Sequence, residues 1–490
     1  MQPCSQVWHG ALMSHRDTRR LHRRLRPLLV GLLGTAVALA TLTSVAAHAA
    51  PTPAPLSIPT ERFALKNGLT VVLVEDHAVP RVHLGLRVRT GSAFETPGRT
   101  GFAHLFEHLM FEGSKNVPEG KFDEWLEAAG GTNNAWTSED ATYYYDEVPQ
   151  NALELMLFLE SDRMGFFADT LSAGLVDGQR DVVKNERRQS YENRPYGMAS
   201  LASASLLWPK GHPYSWPVIG SMEDLSAASV DDVSAFFKTH YAPENCILVL
   251  VGDFNASSAR ALVQKWFGDV PSRGGRPAPV PAPVTLHGEK RAIFEDDVEL
   301  PRLTITWPSA PIYAADDAPL DLLSSVLAGG ESSRLVKRLV HELSLAQSVS
   351  ASQGSRERAS EYSIDVVAFP GTRLTDIIRV VDEEIARIVR DGPDVGELDR
   401  AKTVMQTDMV RSLDSLSGKA SRIAAWAMLT GDADYAEEDL ARYRQTTVSD
   451  VKQAAARTLG PGRLVVSVVP VGHVDLAVKN KVLPAFGGAR

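Results

Sequence analysis

Apolar positions gather in short blocks along the chain: GLTVVLVED (68–76), PRVHLGLRVRTG (80–91), ATYYYDEVP (141–149) and NCILVLVGD (245–253). Blocks of this length, rich in β-branched and aromatic residues and closed by turn residues, predict strands. VDDVSAFFKTHY (230–241) and NALELMLFLESDRM (151–164) instead space their apolar residues three and four apart, which predicts amphipathic helices. Strands joined closely enough to pair antiparallel, mixed with such helices, predict an α+β fold.

The pattern is written twice. VPRVHLGLRV (79–88) has a counterpart in LPRLTITWPS (300–309), and Pro80 to Pro301 is an offset of 221. YYYDEVPQNALELMLFLES (143–161) is matched by YSIDVVAFPGTRLTDIIRVVDEEI (362–385), with Pro149 to Pro370 again 221 apart. Val230 to Val448, opening VDDV and VSDV, are 218 apart. Three elements recurring in one order at nearly one spacing predict a duplicated unit: two homologous halves, each a mainly antiparallel sheet packed with helices. RGGRPAPVPAPV (273–284) is stiff and suits neither helix nor strand. It divides the chain into an N-terminal half, 57–272, a Pro-rich linker, 273–286, and a C-terminal half, 287–480.

The first 49 residues depart from this pattern. Six arginines (Arg16, Arg19, Arg20, Arg23, Arg24, Arg26) precede an uncharged run from Leu28 to Ala47, and Ala47-His48-Ala49 closes it. Basic segment, apolar segment and small-x-small site are the order of a cleaved signal peptide, 1–49. The run is also long enough for a retained anchor; its Ala, Gly and Thr content and its cleavage site favour removal. The expectation is an exported chain, periplasmic or secreted, with no stable membrane span after cleavage. RRLHRRL leaves the twin-arginine and general export routes both open. Beyond residue 49 there are 45 basic and 59 acidic residues, net −14, which argues against a nucleic-acid partner. Cys4 lies in the leader, so Cys246 stands alone and no internal disulfide is available.

HLFEH (104–108) carries the candidate chemistry. On a helix running from about Gly101 to Phe111, positions 104, 107 and 108 share a face. Two imidazoles four apart suit tetrahedral zinc, and Glu107 beside them suits a general base toward water at that metal. HxxEH is the inverted order of the zincin motif. A third ligand has to come from another element. LVDGQRDVVKNERRQSYENRPYG (175–197) predicts a helix ending near Asn193, and by chemistry alone Asp181, Glu186 and Glu192 all qualify. Adding 221 to His104 and His108 gives Ser325 and Gly329, so only the first half carries the histidines.

HLFEH followed after 77 intervening residues by the Glu186 of NERR resembles the pitrilysin family of zinc peptidases, the inverzincins. The likeness is greatest to the short two-half members similar to the β subunit of mitochondrial processing peptidase. KNGLTVVLVED, GRTGFAHLFEHLMFEGS, GGTNNAWTSEDATYYYDEVP, DVVKNERRQSYENRPYG and AGGESSRL extend it over nearly all of the chain after the leader. The resemblance implies His104, His108 and Glu186 as ligands of one Zn2+ per chain, with Glu107 as base. It also implies that NNAWTSEDATYYY forms an edge strand on which an extended peptide or unfolded polypeptide adds, with Asn134 and Ala135 at the substrate backbone; an ordinary strand with a polar edge is the plainer alternative.

Two positions depart from the family pattern. Gln179 stands where many relatives place a glutamate that supports the metal, which lowers the charge around it. Val340 and Gln347 stand where active single-chain relatives carry an arginine and a tyrosine in the second half; Arg334 and Arg338 lie nearby at other spacings. The expectation is a zinc metalloendopeptidase that draws an Arg-Tyr pair from a homologous subunit, as a heterodimer or a homodimer. The alternative is a non-proteolytic assembly or chaperone-like subunit of the same fold.

Overall fold

A computed structural model describes residues 55–274 and 284–479. The leader and most of the Pro-rich linker lie outside the described residues, as does Asn480 at the expected end of the second half.

Strands β1 (Glu61–Ala64), β2 (Thr70–Glu75), β3 (Arg81–Val88), β4 (Thr132–Thr137), β5 (Thr142–Pro149) and β6 (Cys246–Gly252) form one sheet in the order β1-β2-β6-β3-β5-β4. Strands β7 (Lys290–Asp296), β8 (Arg302–Ser309), β9 (Ala346–Gly354), β10 (Ser360–Ala368) and β11 (Leu464–Pro470) form a second, β7-β11-β8-β10-β9. Without β1 the two orders coincide, and in each sheet one pair is parallel, β2 with β6 and β7 with β11. The expected pair of mainly antiparallel α+β halves is therefore the observed architecture.

Register refines the duplication. Leu84 pairs with Asp146 and Ile305 with Ile364, so the offset is 221 between β3 and β8 but 218 between β5 and β10. Pro149 pairs with Arg81, whereas Arg302 pairs with Val367 and Pro370 lies beyond β10. The matched prolines mark where each chain leaves its sheet; the register follows the alternation of core-facing side chains instead.

The helices that position the site and join the halves are α1 (Phe102–Leu109), α2 (Ala173–Arg187), α3 (Gly197–Leu207), α4 (Asp317–Ala328), α5 (Val395–Ser412) and α6 (Leu416–Leu429). The helix expected to end near Asn193 is realised as α2 and then a wider π-helical turn, Arg188–Glu192. Among the described residues no helix is long and apolar enough to cross a membrane.

One face of each sheet packs on helices of its own half, and the other face is covered by the opposite half. Val72, Val74, Ile247, Val249 and Val251 of the first sheet pack with Ala420, Ile423, Ala424 and Trp426 of α6. Ala292, Leu464, Val466 and Val468 of the second sheet pack with Ala199 and Leu207 of α3 and with Trp208. Every residue of CILVLVG in β6 is buried, as expected of a strand covered on both faces.

Candidate metal centre and active site

Helix α1 is fixed by what it buries. Phe102, Leu105, Phe106 and Leu109 enter the first-half core, which leaves positions 104, 107 and 108 on another face. Its N-terminus begins at Gly101, in the left-handed region at φ 85°, and has no capping side chain of its own. Glu95 supplies the cap from outside the helix: one carboxylate oxygen accepts from Gly101 N at 3.0 Å and the other from Ala103 N at 2.8 Å. Burial pushes the Glu95 pKa up to about 8, against those backbone donors.

The rings of His104 and His108 lie 4.8 Å apart at 79°. Their Nε2 atoms stand 3.7 and 3.3 Å from Glu186 Oε2 on α2. One ligand-type atom from each residue lies within 4.8 Å of the other two, and no other such group of three occurs among the described residues. Zinc bonds of about 2.0–2.2 Å at tetrahedral angles separate ligand atoms by roughly 3.3–3.6 Å, so this donor set fits zinc after a small closure. Burial, with His108 adding to it, lowers the His104 pKa to about 4, which favours the neutral imidazole that a metal requires. The hydrogen bond from His108 holds the Glu186 carboxyl below its usual range.

The other two carboxylates of that segment turn elsewhere. Asp181 is five residues from Glu186 on α2, its side chain 77% exposed and 4.0 Å from Lys184. Glu192 pairs with Arg187 at 3.0 Å. Arg187 also donates to Gly220 O at 2.5 Å, and a Cβ on Gly220 would meet the backbone of Gly101. The start of α1 and the end of α2 are thus tied to one loop.

Glu107 is 9% exposed and accepts a hydrogen bond from the Thr137 hydroxyl at the end of β4. Burial raises the Glu107 pKa, and the Thr137 bond opposes the rise. Strand β4 is the edge of its sheet. Asn134 is exposed there, and its Oδ1 accepts from Ala135 N at 2.8 Å. Gln179, two turns before Glu186, donates to Glu112 Oε1 at 2.5 Å rather than to either histidine. His104 Nδ1 is buried without a hydrogen-bond partner among the described residues.

Among the described residues the second half offers nothing similar. Ser325 lies on α4 and Gly329 ends it. Arg334 forks onto Glu397 at 2.8 and 2.6 Å, and Arg338 reaches Glu384 and Glu383 at 2.8 and 2.9 Å. Val340 packs against the second-half core, and Gln347 is exposed on β9.

Sequence reasoning missed Thr137, Glu95 and Arg187. A helix that starts after Gly101, a residue with no side chain to cap it, was the signal for an outside cap. For Thr137 the signal was weak, a hydroxyl at the turn end of TNNAWT.

Fold and site together define a two-half α+β architecture with one candidate metal centre in its first half. The family description insulinase (peptidase family M16) matches residues 70–203, and the peptidase M16 inactive domain matches residues 227–405. The chain belongs to this family, that of the pitrilysin-type zinc peptidases. It is 28% identical over 402 residues to the zinc protease PqqE of Helicobacter pylori, covering 81% of this chain and 89% of that protein. It is 24% identical over 413 residues to the mitochondrial-processing peptidase subunit beta of Lentinula edodes, covering 82% of this chain and 87% of that one. A crystal structure of a protease from Helicobacter pylori superposes with a TM-score of 0.77 at 26% identity, over 85% of this chain and 100% of that chain.

Proposed function

We propose that this chain is an exported zinc metalloendopeptidase acting on peptides in extended conformation. The observation that carries the reading is the convergence of His104, His108 and Glu186, with Glu107 beside them under an edge strand. His104, His108 and Glu186 would hold the zinc, which when bound supplies Lewis acidity toward a carbonyl and toward water. An extended substrate pairs with the open edge of β4, where the Ala135 N–H, capped by Asn134 Oδ1, is free to exchange partners. Glu107 takes a proton from the attacking water and returns it to the leaving amine, and Thr137 keeps its carboxylate aimed. Export rests on the leader, 1–49.

The commitment of Arg334 and Arg338 to glutamates supports a homologous partner subunit that supplies an Arg-Tyr pair. The same observation is what favours the second reading, a non-proteolytic assembly subunit. The deciding experiment is cleavage of an unfolded polypeptide by the purified protein, alone and with any subunit that co-purifies, alongside Glu107→Gln. Cleavage lost in that variant with zinc retained supports the peptidase; zinc-bearing protein that never cleaves favours the second reading.

A further inference from the structure

The turn between β4 and β5 is held jointly by Tyr214 of its own half and by the opposite half of the molecule. Asp140, its side chain 12% exposed, accepts from the Tyr214 hydroxyl at 2.6 and 2.8 Å, from Glu357 N at 2.8 Å and from the Arg358 guanidinium. The Arg358 side chain is only 5% exposed, and its backbone N–H donates to the Tyr214 hydroxyl at 3.1 Å. Next to this pair, Arg356 bridges Glu139 at 2.9 Å and Glu361 at 2.7 Å. Arg356, Glu357 and Arg358 lie between β9 and β10, the hairpin that corresponds in the second sheet to β4 and β5. The two equivalent hairpin tips therefore meet, and both sides are charged.

We infer that Arg358, assisted by Arg356, is a positioning residue that sets the β4 edge strand, and with it Thr137, from the second half. This rests on the reading of β4 as the strand that receives substrate. An edge strand is bonded on one side only, so its turn is a principal constraint on where it lies. Thr137 is three residues before Asp140 and bonds Glu107. The same turn accepts from Ser92 N at 3.1 Å and Ala93 N at 2.8 Å, in the segment that leads to the Glu95 cap of α1. Adhesion between the halves is already provided by α3 and α6 through apolar burial. A buried charge network adds little adhesion beyond that, because desolvation offsets its attraction; its geometry fixes position.

The test compares the full-length protein with R358A, R358K and D140N by hydrogen–deuterium exchange, zinc content and, in whichever assembly is active, kcat and KM. R358A should speed amide exchange across 132–141 by roughly tenfold or more while β8 and α6 keep their protection. Zinc content should not change, KM for an extended peptide should rise more than kcat falls, and R358K should restore part of both effects. Unchanged exchange across 132–141 in folded R358A overturns the inference. So does exchange raised equally in both sheets, which would mark general destabilisation. Should R358A fail to fold, D140N reads the same exchange with the turn's charge removed. A parent protein that never cleaves peptide refutes the peptidase reading and leaves the exchange result to decide this one.

Discussion

The Thr137 hydroxyl donates to the Glu107 carboxylate, joining the last residue of an edge strand to the middle of the histidine-bearing helix. Removing that donor by Thr137→Val should raise the Glu107 pKa further, since burial then loses the largest effect that opposes it. The acidic limb of the kcat/KM profile should move to higher pH, and activity at neutral pH should fall roughly tenfold, the scale of one hydrogen bond to a charged group. Thr137→Ser should retain both. A pH–rate profile of Thr137→Val that overlies the parent's would deny the bond a role.

Metal content should separate the acidic residues. His104→Ala, His108→Ala and Glu186→Gln should each lose zinc, whereas Glu107→Gln, Asp181→Asn and Glu192→Gln should keep it. Elemental analysis of the purified variants decides. Zinc retained in Glu186→Gln and lost in Glu192→Gln would reverse the ligand assignment.

Acid sensitivity should follow from buried imidazoles. In the metal-free protein burial lowers His104 to about 4, and His240 likewise to about 4. Both folded values lie below the unfolded one of about 6.5. Stability from these groups is therefore full above about pH 6.5 and is lost progressively down to about pH 4, where the folded state also protonates. Melting temperature against pH should be shallower over that window in His240→Gln than in the metal-free parent. Identical slopes would contradict the assignment.

Turnover by the isolated chain should be low, because losing one group that stabilises the reacting oxygen typically costs on the order of a hundredfold. Adding a homologous subunit that carries the Arg-Tyr pair should restore it. Full activity from a demonstrated monomer, unchanged by such a partner, would exclude the shared site.

Much of this architecture is legible along the chain. The blocks of β-branched residues became strands, and HLFEH lies on a helix because Leu105 and Leu109 needed a core. The duplication was visible because strand order constrains sequence order. The exchange of α3 and α6 between halves was not, although GMASLASASLL has apolar residues on every side and so had to be buried somewhere. Periodicity says that a helix is buried but not by which sheet. The Asp140–Arg358 contact was hidden for a related reason: charges in two hairpin turns look solvated until the turns meet.

The mutual covering of the sheets by α3 and α6 changes what the Pro-rich linker is for. Cutting the chain between residues 275 and 283 leaves each fragment with the helix that completes the other's sheet. Loss of connectivity lowers the effective concentration of one fragment around the other but leaves those two apolar interfaces in place. A nicked molecule should therefore run as two bands under denaturing conditions and as one particle in gel filtration.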